Sequence, residues 1–345
     1  MWIHPAFAAE FGDAFIGGTG LEGGTLHVSL EVVVLSLQQM LREGGRAEAI
    51  LAHDDRAALN AVLSAMSEAK RLAHKLAHAL AHDGQQRMYL GRVLQALEAL
   101  EPGGVLPVPC AIGGQPIFML AFRGSGADAS HFKLTIVSCR AEEMTDHRCE
   151  ATPPKIKYET CLELRAVKRE KLLDEALWCC IWFAGTQSST DSKLDARQIF
   201  YQVVLSFLTD ASLDQAIIKS DELRAAEVAV DTEDDAEVEL GGVVLHTPRR
   251  SKSAHYGCVR HALAYLLRSR GVRTSERKLI SLMLRSQMLS MAAHDLSLTR
   301  HVSSAERTIL HLACRQIAYK AAKIGRLPRA VSFALTDGAR DTAAS

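Results

Sequence analysis

Residues 115 to 165 carry the pattern that most limits how this chain can fold. Phe132, Leu134 and Ile136 alternate with Lys133 and Thr135. Further on, Ile156, Tyr158, Thr160, Leu162 and Leu164 alternate with Lys157, Glu159, Cys161, Glu163 and Arg165. A two-residue period puts each set on one face of a strand. With the apolar run from Gln115 to Arg123, and the Gly- and Ser-rich stretch 124–130 between runs, the pattern predicts three antiparallel strands with hairpin chemistry. So small a sheet cannot bury enough by itself and needs helices over one face.

The surrounding sequence supplies them. Before the sheet, Leu30, Val33, Val34 and Leu37 recur at helical spacing until Gly44-Gly45. Further helices are predicted over 47–52, over 56–81 with Leu72, Leu76 and Leu80 inward, and over 85–100. After the sheet, a broad stripe begins at Lys168 with Leu172, Leu173, Ala176, Leu177, Cys180 and Ile181, Cys179-Cys180 being assigned to core packing. A second apolar helix runs from Ala196 to Leu208 through Ile199, Phe200, Val203, Val204 and Phe207. Three more helices follow, from Ala254 to Arg268, from Thr274 or Ser275, and from the capping box Ser303-x-x-Glu306. The expected fold is α+β, predominantly helical with a small central antiparallel sheet. Its expected divisions are a helical N-terminal region (1–103), a sheet with helices (104–220), an acidic linker with a basic turn (221–250), a basic helical module (251–335) and a disordered tail (336–345).

The zero net charge hides an asymmetry. From Arg249 onward there are 18 Lys and Arg against 5 Asp and Glu, and before it 22 against 35. The dense acidic stretch 221–239 repels itself and stays solvated, and it can neutralise the basic turn Pro248-Arg249-Arg250-Ser251-Lys252. The basic C-terminal helices raise the alternative of a nucleic-acid-binding module. They bring no recognised motif or aromatic platform, which argues against that partner. No apolar run approaches a membrane span, and the N-terminus lacks the pattern of a signal peptide. Eight cysteines without regular spacing, at 110, 139, 149, 161, 179, 180, 258 and 314, suit a reducing, cytoplasmic compartment.

Candidate chemistry centres on the stretch from Ser251 to Leu267, a loop running into a helix. Cys258 is placed near the helix start, between His255 and His261, where open N–H groups and an imidazole both favour thiolate. Those three residues are the candidate catalytic set, with His131 and His147 as further sources of a base. As a zinc site the trio lacks a fourth ligand. His74, His78 and His82 form a row turned away from the leucines, a polar face without the carboxylates a metal site wants. Gly18-Thr19-Gly20-Leu21-Glu22-Gly23 matches a dinucleotide fingerprint in letters, but no buried strand precedes it. Neither metal nor cofactor is expected.

Two segments, Tyr158-Glu159-Thr160-Cys161-Leu162-Glu163 and Ser253-Ala254-His255-Tyr256-Gly257-Cys258, resemble accessory regions of very large ubiquitinyl hydrolase-type proteins. The order of pieces, strands first and Cys-bearing helix later, resembles a degenerate, permuted papain-like cysteine peptidase domain. That likeness implies Cys258 as nucleophile, a His opening one strand and an Asn or Asp on the next. This chain has Gly113-Gly114-Gln115-Pro116 and Val137-Ser138-Cys139 at those places. The expectation is therefore a non-catalytic interaction or regulatory region of a larger intracellular multidomain protein. Its partners would be other protein domains, with ubiquitin implied by the resemblance. A deubiquitinase-type thiol hydrolase is the alternative.

Overall fold

The computed structural model describes residues 26–42, 50–82, 84–139, 146–147, 149–152, 155–186, 195–212, 214–218, 245–246 and 254–297. Of these, 66% are helical. Helices α1 (Leu26–Leu41), α2 (His53–Ala81) and α3 (Gln86–Glu98) come first. Strands β1 (Val105–Ile112), β2 (Gln115–Arg123), β3 (His131–Val137), β4 (Cys149–Thr152), β5 (Lys155–Glu159) and β6 (Cys161–Lys168) follow. Next come α4 (Arg169–Leu172) and α5 (Glu175–Thr186). The helix α6 starts over Ala196–Gln198, widens to π-helix over Ile199–Val204 and closes over Leu205–Thr209. After the short β7 (Leu245–His246) come α7 (Ala254–Ser269) and α8 (Thr274–Ser297). The fold is α+β and mostly helical, with an antiparallel sheet in the middle of the chain. The glycine-rich 18–23 segment, residues 47–49, the acidic stretch 221–239, the basic turn 248–252, the capping box at Ser303 and the tail lie outside the described residues.

The chain divides into two compact units. The first takes residues 1–67, 251–256 and 263–345. Here α1 lies along α8, and the face predicted for α1 (Leu30, Val33, Val34, Leu37) is buried while Gln38 and Arg42 are exposed. Gln287 donates to Gln39, and Tyr256 OH points at Met288 Sδ, 3.5 Å away. Gly271 turns the chain between α7 and α8 at φ +77°. The Gly271 and Val272 N–H groups bond back to the Arg268 and Leu267 carbonyls, which closes the helix end.

The second unit takes residues 68–250 and 257–262 and holds the sheet, ordered β1-β2-β3-β6 and antiparallel throughout. Strands β1 and β2 meet through a two-residue turn in which Gly113 and Gly114 have φ +54° and +77°, the turn type whose twist matches a hairpin. Their N–H groups donate to the Ala184 and Gly185 carbonyls at 2.9 and 3.0 Å, so the turn is tied to the end of α5. In the ladder between β3 and β6, Arg165 and Ala166 together face Lys133, a β-bulge with Ala166 at φ +57°. One sheet face packs against α3, α5 and α6 around Trp178, Phe200 and Tyr201. The Trp178 indole N–H donates to Leu172 O at 2.8 Å, and Tyr89 OH donates to Pro109 O at 2.6 Å.

Several expectations change. The run 156–165 is two strands, not one: β5 belongs to a second sheet, ordered β4-β5-β7, and β6 to the first. Glu159 and Glu163, expected on a wet face, are buried, and Glu163 pairs with Arg165 at 3.2 Å. Strand β1 adds a fourth strand to the three expected of this sheet. The helical stripe after 168 breaks at Leu173 and Asp174, and Ala176, Cys179 and Cys180 are exposed, not core. Val203, Phe207 and Leu80 are exposed as well, Leu80 at 55%. Each lies on a helix whose apolar stripe is wider than the surface that covers it.

Candidate functional site

Cys258 is the fifth residue of α7. The four N–H groups left open at a helix start belong to residues 254–257, so Cys258 lies beyond the region where they would hold a thiolate. Its sulfur is fully buried, at 0% exposure. The thiol donates to the Pro116 carbonyl, with Sγ 3.0 Å from the oxygen, and Sγ lies 3.5 Å from Cys139 Sγ. Cys139 follows β3 and is itself 4% exposed, and the preceding residue is fixed by Ser138 N–H donating to Thr160 O at 3.0 Å. Neighbouring Gly257 makes this approach possible: a Cβ there would stand 2.8 Å from Cys139 Sγ.

The sulfur acts here as a hydrogen-bond donor and as packing surface. A nucleophile needs an open approach for the substrate's carbonyl carbon and a base aligned with the thiol proton. Cys258 has no exposed surface, and its proton is directed at a backbone oxygen.

The histidines distribute as follows. His255 is half-buried in the first turn of α7, and His261 is buried one turn beyond Cys258. His255, Cys258 and His261 are spaced i, i+3, i+6 and share one side of the helix. His131 opens β3 and shares a hydrogen bond with Ser130 Oγ at 3.1 Å. Cys139 lies past the other end of the same seven-residue strand, so roughly 20 Å of extended backbone separates His131 from the thiol pair. His131 is therefore not the base.

His147 is buried and fully engaged. Its Nδ1 is 2.7 Å from the Glu159 carbonyl, which can only accept, so the proton sits on Nδ1. Nε2 then accepts from Tyr201 OH at 2.9 Å. Burial pushes the His147 pKa down to about 4, against smaller upward pulls from the Glu159 carbonyl and Asp146. A neutral ring with both nitrogens committed is a structural connector. Burial likewise pushes the Cys110 thiol far above its ordinary range. Tyr201 carries no sequence signal, because it sits in the π-widened turn of α6, where the 3.6 period fails.

On α2, His74, His78 and His82 are all exposed, as their phase against Leu72 requires, and the His78 and His82 rings meet edge-on at 4.4 Å. Among the described residues no three His, Cys, Asp or Glu side chains are grouped to hold a metal ion. None of the described helices is long and apolar enough to cross a membrane.

No family model, curated protein or solved structure matches the chain.

Proposed function

We propose that this chain is a non-catalytic interaction region of a larger multidomain protein, with Cys258 as a structural thiol. The carrying observation is the setting of that sulfur, buried and donating to Pro116 O. What supports contact with partners is the exposure of large apolar side chains elsewhere: Phe183 on α5 and Val203 and Phe207 on α6. Exposed side chains of that size suit contact with other protein domains. Ubiquitin is the first partner to try, on the strength of the two resembling segments.

Timed alkylation of the native protein with iodoacetamide, read by peptide mass spectrometry, tests this reading. Exposed Cys179 and Cys180 should react fast, while Cys258, Cys139 and Cys110 react only at the rate of unfolding. Modification of Cys258 ahead of Cys179 and Cys180 would overturn the proposal. So would capture by a ubiquitin-derived electrophile that is lost in Cys258→Ala, which would establish the thiol hydrolase instead.

A further inference from the structure

A cavity of about 340 Å³ opens between the second half of α2 and α3. Its walls carry His74, Lys75 and His78 from α2 and Arg87 and Arg92 from α3. Among the described residues no Asp or Glu lines it. Elsewhere in this unit several cations are paired with carboxylates: Arg71 with Glu68, Lys168 and Lys171 with Asp210, Arg197 with Asp146. Lys75, Arg87 and Arg92 have no carboxylate partner among the described residues, and Arg92 instead donates to the Gln95 side-chain oxygen at 2.9 Å. Three fixed positive charges around one cavity favour an anion within it.

Gly91 adds an independent observation. It sits in the middle of α3 and lines the cavity, and no atom lies within 4 Å of where its Cβ would stand. Glycine inside a helix costs about 1 kcal/mol relative to alanine, and packing within the protein does not require it here. With no side chain, it takes up none of the cavity's volume. Ala79, Met88 and Tyr89 are the apolar residues of its lining.

We propose that the α2–α3 cavity is a binding site for a small organic phosphate, the phosphoryl group held by Lys75, Arg87 and Arg92 and a compact apolar body lying along Met88 and Tyr89. The volume is at the low end for ligand sites and excludes large polyanions from full burial. Arginine and lysine around one anion are the usual means of holding phosphate. The open start of α3, with no acidic residue in its first turn, adds to a field that the side chains already set.

The test is calorimetric titration of the full chain, at constant ionic strength, with phenyl phosphate and adenosine monophosphate, against phenol, adenosine and inorganic phosphate. Saturable binding of the two organic phosphates is expected, with the uncharged analogues silent and inorganic phosphate weaker. Lys75→Gln and Arg87→Gln should each weaken binding about tenfold or more. Gly91→Gln, which fills the cavity without changing charge, should abolish it, and Arg270→Gln, an exposed cation in the turn after α7, should leave it intact. Thermal melting of each variant checks folding, and Arg92→Gln replaces any variant that fails. Three outcomes would overturn the proposal: no saturation at millimolar ligand, affinity indifferent to Lys75, Arg87 and Gly91, or an equal loss in Arg270→Gln.

Discussion

The thiol corner under α7 and the cavity between α2 and α3 use similar residue types to opposite ends. At the corner a cysteine with histidines nearby in sequence is enclosed, its proton spent on a carbonyl and its flank filled by a second sulfur. At the cavity, imidazoles and fixed cations stand in the open around space that nothing in the described chain fills. Reactive-looking spacing therefore marks the enclosed region, and a row that reads as a plain solvated face lies beside the open one. What separates the two is access, which depends on contacts distant in sequence.

The largest effect should come from the buried, neutral side of this contrast. His147 has a folded pKa of about 4, while an unfolded histidine titrates near 6.5. As pH falls, the unfolded chain takes up this proton first, so the protonation favours unfolding. Stability should be complete above about pH 6.5 and fall by roughly 3 kcal/mol as pH drops to about 4. Urea unfolding of the wild type and of His147→Asn at a series of pH values isolates the contribution. The variant should lose about one proton's worth of pH dependence, and an unchanged slope would assign the titration to another group.

Next in size is Gly257→Ala. Alanine favours a helix, yet its Cβ would meet Cys139 Sγ at 2.8 Å, and overpacking of this kind costs about 1–3 kcal/mol. Cys139→Ala in the same chain should relieve the clash, so the double variant should be more stable than the sum of the two single effects predicts. Additive losses in chemical denaturation would mean that the two sites do not touch.

How far this was legible in the sequence follows from the range of the contacts involved. The α1 face and the hairpin between β2 and β3 were readable because period and turn residues are local properties. Strand β1 was hidden by Pro107 and Pro109, which interrupt a strand pattern. The sheet order explains why they are tolerated: among the described residues β1 is an edge strand, paired with β2. The break at Thr160 was hidden because both strands keep the same alternation across it. Cys258 could be found on its helix, but its partners Pro116 and Cys139 lie 142 and 119 residues away, and no local pattern reports them. The histidine row of α2 was placed on the correct face, while the cavity beside it needed the second helix.

Smaller in effect, Tyr89→Phe tests the seam between the cavity and the sheet. Tyr89 is part of the cavity's lining, and its hydroxyl bonds the Pro109 carbonyl on β1. Losing the hydroxyl leaves a buried acceptor unpaired, at a cost of about 1 kcal/mol or slightly more. The ring remains, so ligand affinity should change less than stability does; a larger loss of affinity than of stability would mean that the hydroxyl faces the ligand.

The smallest effect sharpens the contrast most, because the chemical change is the one already made at Gly257. Gly91→Ala adds the same methyl to the interior of a helix, at a place where no atom lies within 4 Å. The local gain is the same, up to about 1 kcal/mol in favour of the folded chain. With no clash to oppose it, the melting temperature should rise where that of Gly257→Ala falls. Opposite signs for one substitution in two helices would locate most of the difference in packing, since the propensity gain favours alanine in both. If Gly91→Ala destabilises instead, something in the full chain already occupies the space beside α3, and the cavity is not free to take a ligand.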